Sequence, residues 1–360
     1  MGVIFLRAVS VEDIKEGDVL ARSLVNDDHI VMISEGTVLK KAHITRLNYL
    51  NIPVVYIKDE YELSKNFQAA SAVFNKSNAF VKDYNAVVTV AKEIFTDMEQ
   101  EKDKKSAAAH AVVSNAVTPL AKSSGVIDHL FDMSHVDDDI YQHSLRVSIL
   151  SGVIAKWMQY DPIRQRDIML AGFFHDAGKT ALPRRILDKR IDKLQGDDLL
   201  EYQSHTEEGY KILSNMPDIA EGVKRAAREH HERMDGTGFP NGLRGSEIHI
   251  YSSIVALADF YDNTTTEREG YKKQTPFDAF SYITEHIYTT LDPTVCVPFL
   301  NHMKDAFLGS RVTLSNGING KVAAFPGDFA ALPVISTETH EIINLNKEPD
   351  IKIMEYNPKE

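Results

Sequence analysis

The chain has 360 residues, of which 43% are hydrophobic, so it is long enough for two or three domains with full cores. A formal net charge of -12 argues against a nucleic-acid polymer as the main partner. A small anionic substrate is still compatible with this charge, provided that local Lys, Arg and metal charges outweigh the global field.

The single cysteine, Cys296, excludes an internal disulfide framework and fits a reducing compartment. No apolar run approaches the ~18 residues of a membrane span. The apolar stretch within Met1–Arg7 is too short for a signal peptide, and acidic residues follow it. We therefore expect a cytoplasmic protein.

Residues 1–60 have the composition of a small β-rich module without a cluster of catalytic residue types. A turn is predicted at Asn26–Asp28. The predicted strands are Val19–Leu24, His29–Ile33 and Val54–Ile57, and the predicted helix is Lys41–Leu50. Packing or dimerisation is the first interpretation of this module, and a sensory role is the alternative.

Residues 61–130 are predicted to be helical, because Phe80, Val87 and Ile94 follow a helical spacing. The charged run Glu99–Lys105 interrupts this pattern. We interpret the run as a solvated break between two helices, with a signalling linker as the alternative.

Side chains that bind divalent metals recur between residues 139 and 259, and most of them end apolar, helix-like runs. A helix end can present a ligand to a shared cavity while the helix body packs the core. The pattern therefore predicts a multinuclear metal site. Its candidate ligands are His143, His175, Asp176, His205, His230, His231 and Asp259.

The doublet His230-His231 indicates two metals by itself. Neighbours on a helix point about 100° apart, because the helix has 3.6 residues per turn. One ion cannot easily take both rings, whereas two adjacent ions can take one each. The doublet therefore predicts a binuclear site.

Three further features flank these ligands. Asp139 lies four residues before His143 and shares its helix face if the helix begins early enough; capping the helix is the alternative. Lys179 follows the His175-Asp176 pair within reach of the same site. The segment Asp235–Gly242 is rich in turn residues, but it lacks the Gly-Lys-Ser/Thr ending of a Walker loop.

Residues 309–360 change to short alternating patterns that are typical of strands. We predict a small β appendage that serves packing or oligomerisation. Its predicted strands are Arg311–Leu314, Gly320–Ala324, Ala331–Ile335, His340–Asn344 and Ile351–Met354.

The ordered motifs of the central segment resemble the HD-GYP family over roughly residues 135–305, about half the chain. The family comprises metal-dependent phosphodiesterases that act on the bacterial second messenger cyclic di-GMP. One residue differs from the family motif, since Gly238-Phe239-Pro240 stands where the family has Gly-Tyr-Pro. The motifs are His143, His175–Lys179, His205, His230–Glu232, Asp235–Pro240 and Ala258-Asp259.

The resemblance implies roles for individual residues. Asp176 would bridge two metals, with Fe or Mn favoured by a cysteine-free ligand set. Asp139 stands where some members have a third-metal ligand, a Glu. Lys179 would face a substrate phosphate and protonate the leaving oxygen. Arg268 and Lys272 replace the basic residues of an Arg-Pro-Tyr-Arg/Lys segment, here one residue longer and without the proline.

The loop residues Gly238, Phe239 and Pro240 would lie beside the active site and contact substrate or partners, as the resemblance implies; a purely structural turn is the alternative. The expected fold is mainly α. It comprises a β-rich module (1–60), a helical connector (61–130), an all-helical HD-type phosphohydrolase core (131–308) and the β appendage (309–360).

The implied reaction is hydrolysis of cyclic di-GMP to pGpG and/or GMP by a hydroxide that bridges two, or with Asp139 three, divalent metals. One alternative is an HD-type hydrolase of another nucleotide, such as a hybrid cyclic dinucleotide. The other is a non-catalytic cyclic di-GMP-binding adaptor. A homodimer and signalling-protein partners are also expected, but no DNA or RNA polymer and no membrane span.

Overall fold

The fold was analysed in a computed structural model. It describes residues 4–11, 14–20, 24–25, 31–34, 36–49, 54–60, 66–99, 106–133, 140–267, 273–327, 332–339 and 341–358. The chain forms two compact units, Met1–Lys76 and Ser77–Glu360. In the described part of the chain, no helix combines the length and apolar character needed to cross a bilayer.

The first unit is built on an antiparallel sheet with the strand order β1-β5-β2. Strand β1 was not predicted from the sequence; it pairs with β5 from Ile4 opposite Glu60 to Ser10 opposite Val54. Leu20, Leu39 and Val55 are fully buried in the core of this unit. Its elements are β1 (Ile4–Ser10), β2 (Val19–Leu20), β3 (Leu24–Val25), β4 (Val31–Ile33), α1 (Lys41–Tyr49) and β5 (Val54–Glu60).

The second unit is mainly helical, as predicted. The helix α2 (Asn66–Glu99), most of which belongs to this unit, ends at the first residue of the charged run, and α3 (Ser106–Val112) follows the run, while residues 100–105 lie outside the described part. The other helices are α4 (Thr118–Ala121), α5 (Val126–Asp132), α6 (Ile140–Trp157), α7 (Pro162–Phe174), α8 (Arg184–Leu187), α9 (Gly196–Gln203), α10 (His205–Ser214), α11 (Glu221–Glu229), α12 (Ile250–Thr265), α13 (Pro276–His286) and α14 (Pro293–Phe307).

Local sequence signals fix where several of these helices begin. The Asp161 carboxylate accepts hydrogen bonds from the backbone N–H of Ile163 and Arg164, and Pro162 occupies the first turn of α7. Thr275 and Asp278 form a reciprocal capping box at the start of α13. These side chains satisfy N–H groups that have no partner within the helix.

Helix α6 lies at the centre of the second unit, because every residue from His143 to Ala155 is buried. It packs against α7 and α12, and α11 packs against both of these. A helix that is buried all round carries its polar residues into the interior. This arrangement gives the polar residues at the start of α6 access to α7 and α12.

The C-terminal strands form an antiparallel sheet with the order β10-β6-β7-β8-β9. Its side chains belong to the same hydrophobic core as the helices. Tyr356 packs its ring against Phe277 and Phe307 and donates a hydrogen bond to Asp128 Oδ1 at 2.7 Å. The strands are β6 (Arg311–Leu314), β7 (Asn319–Ala324), β8 (Val334–Thr337), β9 (Ile342–Asn344) and β10 (Ile353–Asn357).

The predicted fold class, a mainly helical HD-type core with β additions at each end, is confirmed. The four-part domain division stays a prediction. In the described residues, the core extends from Phe80 of the predicted connector to Tyr356 of the appendage. These three segments therefore pack together within one compact unit.

Candidate metal centre

The seven predicted metal ligands converge from five helices. His143 lies in the first turn of α6, and His175 caps the C-terminus of α7 and is followed at once by Asp176. His205 is the first residue of α10, and His230 caps α11. Asp259, in contrast, lies inside α12. Most of the ligands are thus at helix ends, as the sequence indicated.

Their donor atoms form two adjoining groups. Asp176, His205, His230 and His231 offer atoms that all lie within 4.8 Å of one another, and so do His143, His175 and Asp259. Imidazole nitrogen and carboxylate oxygen bind divalent ions at about 2.0–2.2 Å, so donors of one ion lie roughly 3–4 Å apart. Each group therefore has a spacing that suits one ion.

The Asp176 carboxylate connects the two groups. Its Oδ1 lies 3.5 Å from His205 Nε2 and 3.7 Å from His230 Nε2. Its Oδ2 lies 3.3 Å from His175 Nε2 and 3.7 Å from His143 Nε2. Because each oxygen faces a different group, this carboxylate is placed to bridge two ions.

The histidine rings are oriented through their second nitrogen. Nδ1 of His175 lies 2.8 Å from Gly172 O, and Nδ1 of His205 lies 2.6 Å from Tyr202 O. Nδ1 of His230 lies 3.1 Å from Ala226 O. A carbonyl only accepts, so each Nδ1 carries the proton and Nε2 presents a lone pair to the shared space.

Several of these inward atoms are buried without a hydrogen-bond partner. They are His175 Nε2, His205 Nε2, His230 Nε2, His231 Nε2 and Asp176 Oδ1. Buried polar atoms are normally satisfied, and a cluster of unsatisfied lone pairs is costly. Divalent cations would satisfy all of them at once, so the residues present fit a metal pair.

The protonation states are those that metal ligands need. Burial opposes ionisation of Asp176, but the neighbouring Lys179 ammonium outweighs it and holds the pKa of this carboxyl well below its usual range. Burial lowers the pKa of His205 to about 4 and that of His230 to about 3. At neutral pH the carboxylate is therefore charged and both rings are neutral.

Lys179 lies at the edge of this centre. Its Nζ donates to Asp176 Oδ2 at 2.5 Å and lies 5.6 Å from the centroid of the Tyr202 ring. A cleft runs past these groups to solvent. It is lined by Asp176, Lys179, Ile191, Leu199, Tyr202, Gln203, His231, Phe239, Asp259 and Asn263.

The glycine-rich loop is held against the same histidines. The Phe239 ring stacks on His231 with centroids 4.5 Å apart and an interplanar angle of 25°. The Glu232 carboxylate accepts backbone hydrogen bonds from Asn241 at 2.7 Å and Leu243 at 3.0 Å. A Cβ on Gly238 would lie 2.4 Å from His231 O, so only glycine lets the loop approach so closely.

One sequence argument was wrong. It assigned His230 and His231 to different ions, yet both rings lie in the same group. Helix α11 ends at Glu229 and the chain turns at His231, so the 100° separation of helical neighbours does not apply. The second group, not the doublet, is what indicates a second ion.

Three other predicted site residues, Asp139, Arg268 and Lys272, lie outside the described residues. The sequence analysis also missed residues that support the ligands. Asn263 donates to Asp259 Oδ1 at 2.7 Å, and Asp262 lies 2.8 Å from His143 Nδ1. The available signal was spacing, because Asp259, Asp262 and Asn263 share one face of α12.

Comparisons with known proteins agree with this geometry. Residues 132–295 match the family model of the HD domain. The chain is 37% identical over 172 residues to a cyclic di-GMP phosphodiesterase of Thermotoga maritima, covering 47% of this chain and 46% of that protein. It is 32% identical over 154 residues to the 3'3'-cGAMP-specific phosphodiesterase 3 of Vibrio cholerae, covering 42% and 32%.

A third relative, a cyclic di-GMP phosphodiesterase of Pseudomonas aeruginosa, is 28% identical over 229 residues, covering 64% of this chain and 55% of that protein. The chain thus spans from about a third to about half of the length of these curated relatives. Among solved structures, an HDG"Y"P protein from Bdellovibrio bacteriovorus, Bd1817, has the same fold. The TM-score is 0.51 at 17% identity, covering 83% of this chain and 100% of that one.

The family-model match identifies residues 132–295 as an HD domain, and the described helices and metal-ligand groups of this segment agree with it. The resemblance of this segment to the HD-GYP family, found in the sequence, is confirmed.

Proposed function

We propose that this protein hydrolyses the phosphodiester bonds of cyclic di-GMP to pGpG and/or GMP. The observation that carries the proposal is the Asp176 carboxylate, which turns one oxygen to each of two histidine-rich groups. Two adjacent divalent ions are suited to phosphodiester hydrolysis. Relatives named as cyclic di-GMP phosphodiesterases support this choice of substrate.

The residues divide between two ions. Asp176, His205, His230 and His231 would hold one, and His143, His175 and Asp259, with Asp176 shared, would hold the other. When bound, such a pair lowers the pKa of water and neutralises charge on phosphoryl oxygens. A set of imidazoles and carboxylates without cysteine favours Fe or Mn. A third ion at Asp139 stays part of this proposal.

Lys179 supplies positive charge beside the reacting phosphate. Burial opposes its charge, but Asp176 outweighs burial and raises the pKa of the ammonium above its ordinary value. Lys179 therefore stays charged at neutral pH. A raised pKa favours stabilisation of a phosphoryl oxygen over donation of a proton to the leaving oxygen, the other role that we assign to it.

The cleft offers a place for the rest of a nucleotide. Ile191, Leu199 and Phe239 present apolar surface to it, and Gln203 adds an amide. Purine rings pack on such surfaces, and an amide can pair with a base edge. We propose Gly238, Phe239 and Pro240 as the loop that borders the substrate, and Arg268 and Lys272 as its phosphate contacts.

The test is a hydrolysis assay on protein reconstituted anaerobically with Fe²⁺ or with Mn²⁺. Cyclic di-GMP should give pGpG or GMP, and omitting the metal should abolish turnover. Recovery of intact substrate from both preparations, at two ions per chain, would refute the proposal. Binding without turnover would favour the adaptor alternative.

A hybrid cyclic dinucleotide is the second candidate substrate, because one relative is a 3'3'-cGAMP-specific phosphodiesterase. Comparing kcat/KM for cyclic di-GMP and 3'3'-cGAMP in one preparation decides between them.

We also propose a cytoplasmic location and a homodimer with signalling partners. Cell fractionation tests the location, and analytical ultracentrifugation of the full chain tests the homodimer.

A further inference from the structure

Arg146 is a buried charged residue that has no role in the proposed reaction. It lies in α6 with only 2% of its surface exposed. Arginine is almost never buried to this extent unless it is paired, because removing its charge from water is costly. Its pairing therefore indicates what it contributes.

The Arg146 guanidinium forms hydrogen bonds to both carboxylate oxygens of Asp262. Nε donates to Oδ1 at 2.7 Å and Nη2 donates to Oδ2 at 3.1 Å. Thr266 Oγ1 also donates to Oδ1, at 3.4 Å. A fork of parallel hydrogen bonds fixes the plane of a carboxylate as well as its position.

The same Asp262 Oδ2 lies 2.8 Å from His143 Nδ1. Because a carboxylate accepts, Nδ1 carries the proton and Nε2 faces the metal centre. There Nε2 lies 3.0 Å from Asp259 Oδ1 and 3.7 Å from Asp176 Oδ2. His143 and Arg146 are three residues apart on α6, as Asp259 and Asp262 are on α12, so the two helices face each other with matched pairs.

This support differs from that of the neighbouring rings. His175, His205 and His230 hold Nδ1 against backbone carbonyls, which no substitution can remove. His143 instead depends on a side chain, which in turn is held by another side chain. Among these four rings, His143 is therefore the one whose hydrogen-bond support a point mutation can remove.

We propose that Arg146 and Asp262 are positioning residues that aim His143 at the ion it would share with His175 and Asp259. The inference rests on the proposed metal-dependent function. It assigns the buried pair to the group of His143, His175 and Asp259, since His205 and His230 of the other group are held by backbone carbonyls. Loss of the Arg146–Asp262 pair should then lower the affinity for one ion and leave the affinity for the other unchanged.

The experiment uses Mn²⁺ alone as the probe and measures bound ions per chain by chelator competition, with EPR to separate a coupled pair from an isolated ion. The decisive variant is the double substitution Arg146→Met with Asp262→Leu. Apolar replacement of a buried ion pair commonly preserves folding, so stability and positioning are separated. We expect affinity for one ion to fall about 10- to 100-fold, as for other partners of metal-bound histidines.

Two further variants complete the test. Asp262→Asn keeps an oxygen that can accept from His143 Nδ1, so this variant should still bind the coupled pair of ions. It keeps the inference testable if the double variant does not fold. Glu229→Gln is the matched control. It breaks another buried ion pair, with Arg225 at 2.6 Å, whose carboxylate is bonded to Arg225, His249 N and Ser252 and not to a ligand ring. It should keep both ions.

Wild-type affinities for both ions in the double variant would overturn the inference, and so would loss of both ions together. Loss of the coupled pair in Asp262→Asn to the same extent as in the double variant would also overturn it. Failure of the wild-type chain to bind two ions is a different result, because it refutes the proposed function itself.

Discussion

Lys179 Nζ lies 2.5 Å from Asp176 Oδ2, so the cation at the mouth of the cleft is tied to the carboxylate that connects the two groups of histidines. The ammonium is partly exposed, with 18% of the side chain accessible, whereas Asp176 is buried. One end of this ion pair thus lines the open cleft, while the other lies among the candidate metal ligands. Groups whose pKa is shifted by burial and a charged partner, as the pKa of both Asp176 and Lys179 is, cluster at functional sites.

The first prediction concerns Lys179. Lys179→Gln should leave the metal content at the wild-type value but lower kcat/KM for cyclic di-GMP about 10- to 100-fold, because a charge-assisted contact of about 1.5–3 kcal/mol to phosphate is lost. Lys179→Arg should recover part of this loss. The measurement is steady-state hydrolysis together with metal analysis.

The control for this prediction is Lys189→Gln. Lys189 also donates to an aspartate, Asp198, at 2.5 Å, but Lys189 is exposed, Asp198 is half-buried, and neither lines the cleft or belongs to the two ligand groups. Its activity should match that of the wild type. A Lys179→Gln enzyme with undiminished kcat/KM would remove Lys179 from the mechanism.

The second prediction concerns Asp176. Asp176→Ala removes the only carboxylate placed between the two groups of described ligands. We expect metal affinity to fall by at least about 100-fold and hydrolysis to fall with it. Asp188→Ala, at an exposed aspartate, should change neither quantity. Substantial turnover by Asp176→Ala would contradict the whole catalytic assignment.

The sequence singled out the candidate ligands that the structure brings together, but it did not single out the residues that support them. The ligand residues are chemically distinctive and occur in a fixed order, so His143, Asp176 and Asp259 could be chosen without any structure. Arg146 and Asp262 lie 116 residues apart, and each sits in an apolar helix whose pattern indicates only core packing. Their contact depends on how α6 meets α12, which periodicity does not specify.

The same limit explains the error over the histidine doublet. The sequence pattern placed both rings on one helix, and the helical angle then separated them. The helix in fact ends at Glu229, and its C-cap is His230. Boundaries of elements are the least reliable part of a sequence-based prediction, so an argument that depends on one residue at a helix end is fragile.

The third prediction concerns the aromatic ring of the loop. Phe239→Tyr restores the family's Gly-Tyr-Pro letter and should keep both kcat and KM near the wild-type values, because the ring that stacks on His231 is retained. Phe239→Ala should raise KM by roughly 3- to 10-fold, since the ring also lines the cleft and a base stacked on it would lose a contact of about 0.5–1.5 kcal/mol.

The comparison that isolates the ring is Phe239→Leu, which keeps apolar volume without aromaticity. We expect its KM to lie between those of the wild type and Phe239→Ala, while its metal content is unchanged. Equal KM values for Phe239→Ala and the wild type would show that the ring serves only to pack the loop.

The fourth prediction is the pH dependence of the metal-free protein. Burial, opposed only in part by Asp176, lowers the pKa of His205 in the folded chain to about 4, whereas an unfolded histidine titrates near 6.5. Between these values the unfolded state binds the extra proton, so the free energy of unfolding rises with pH. Stability should therefore be fully present above about pH 6.5 and fall as the solution is acidified towards pH 4, by on the order of 3 kcal/mol for this residue.

Thermal or urea unfolding of chelator-treated protein from pH 7.5 to pH 4.5 measures this slope. His205→Gln supplies the control, because it removes the titrating ring and should flatten the curve while leaving the contribution of His230, whose pKa is lowered to about 3. Added Mn²⁺ should steepen the dependence in the wild type, since ions bind only the neutral rings and stabilise the folded state that holds them. A metal-free wild-type protein whose stability does not change across this range would show that His205 is not held neutral by the fold.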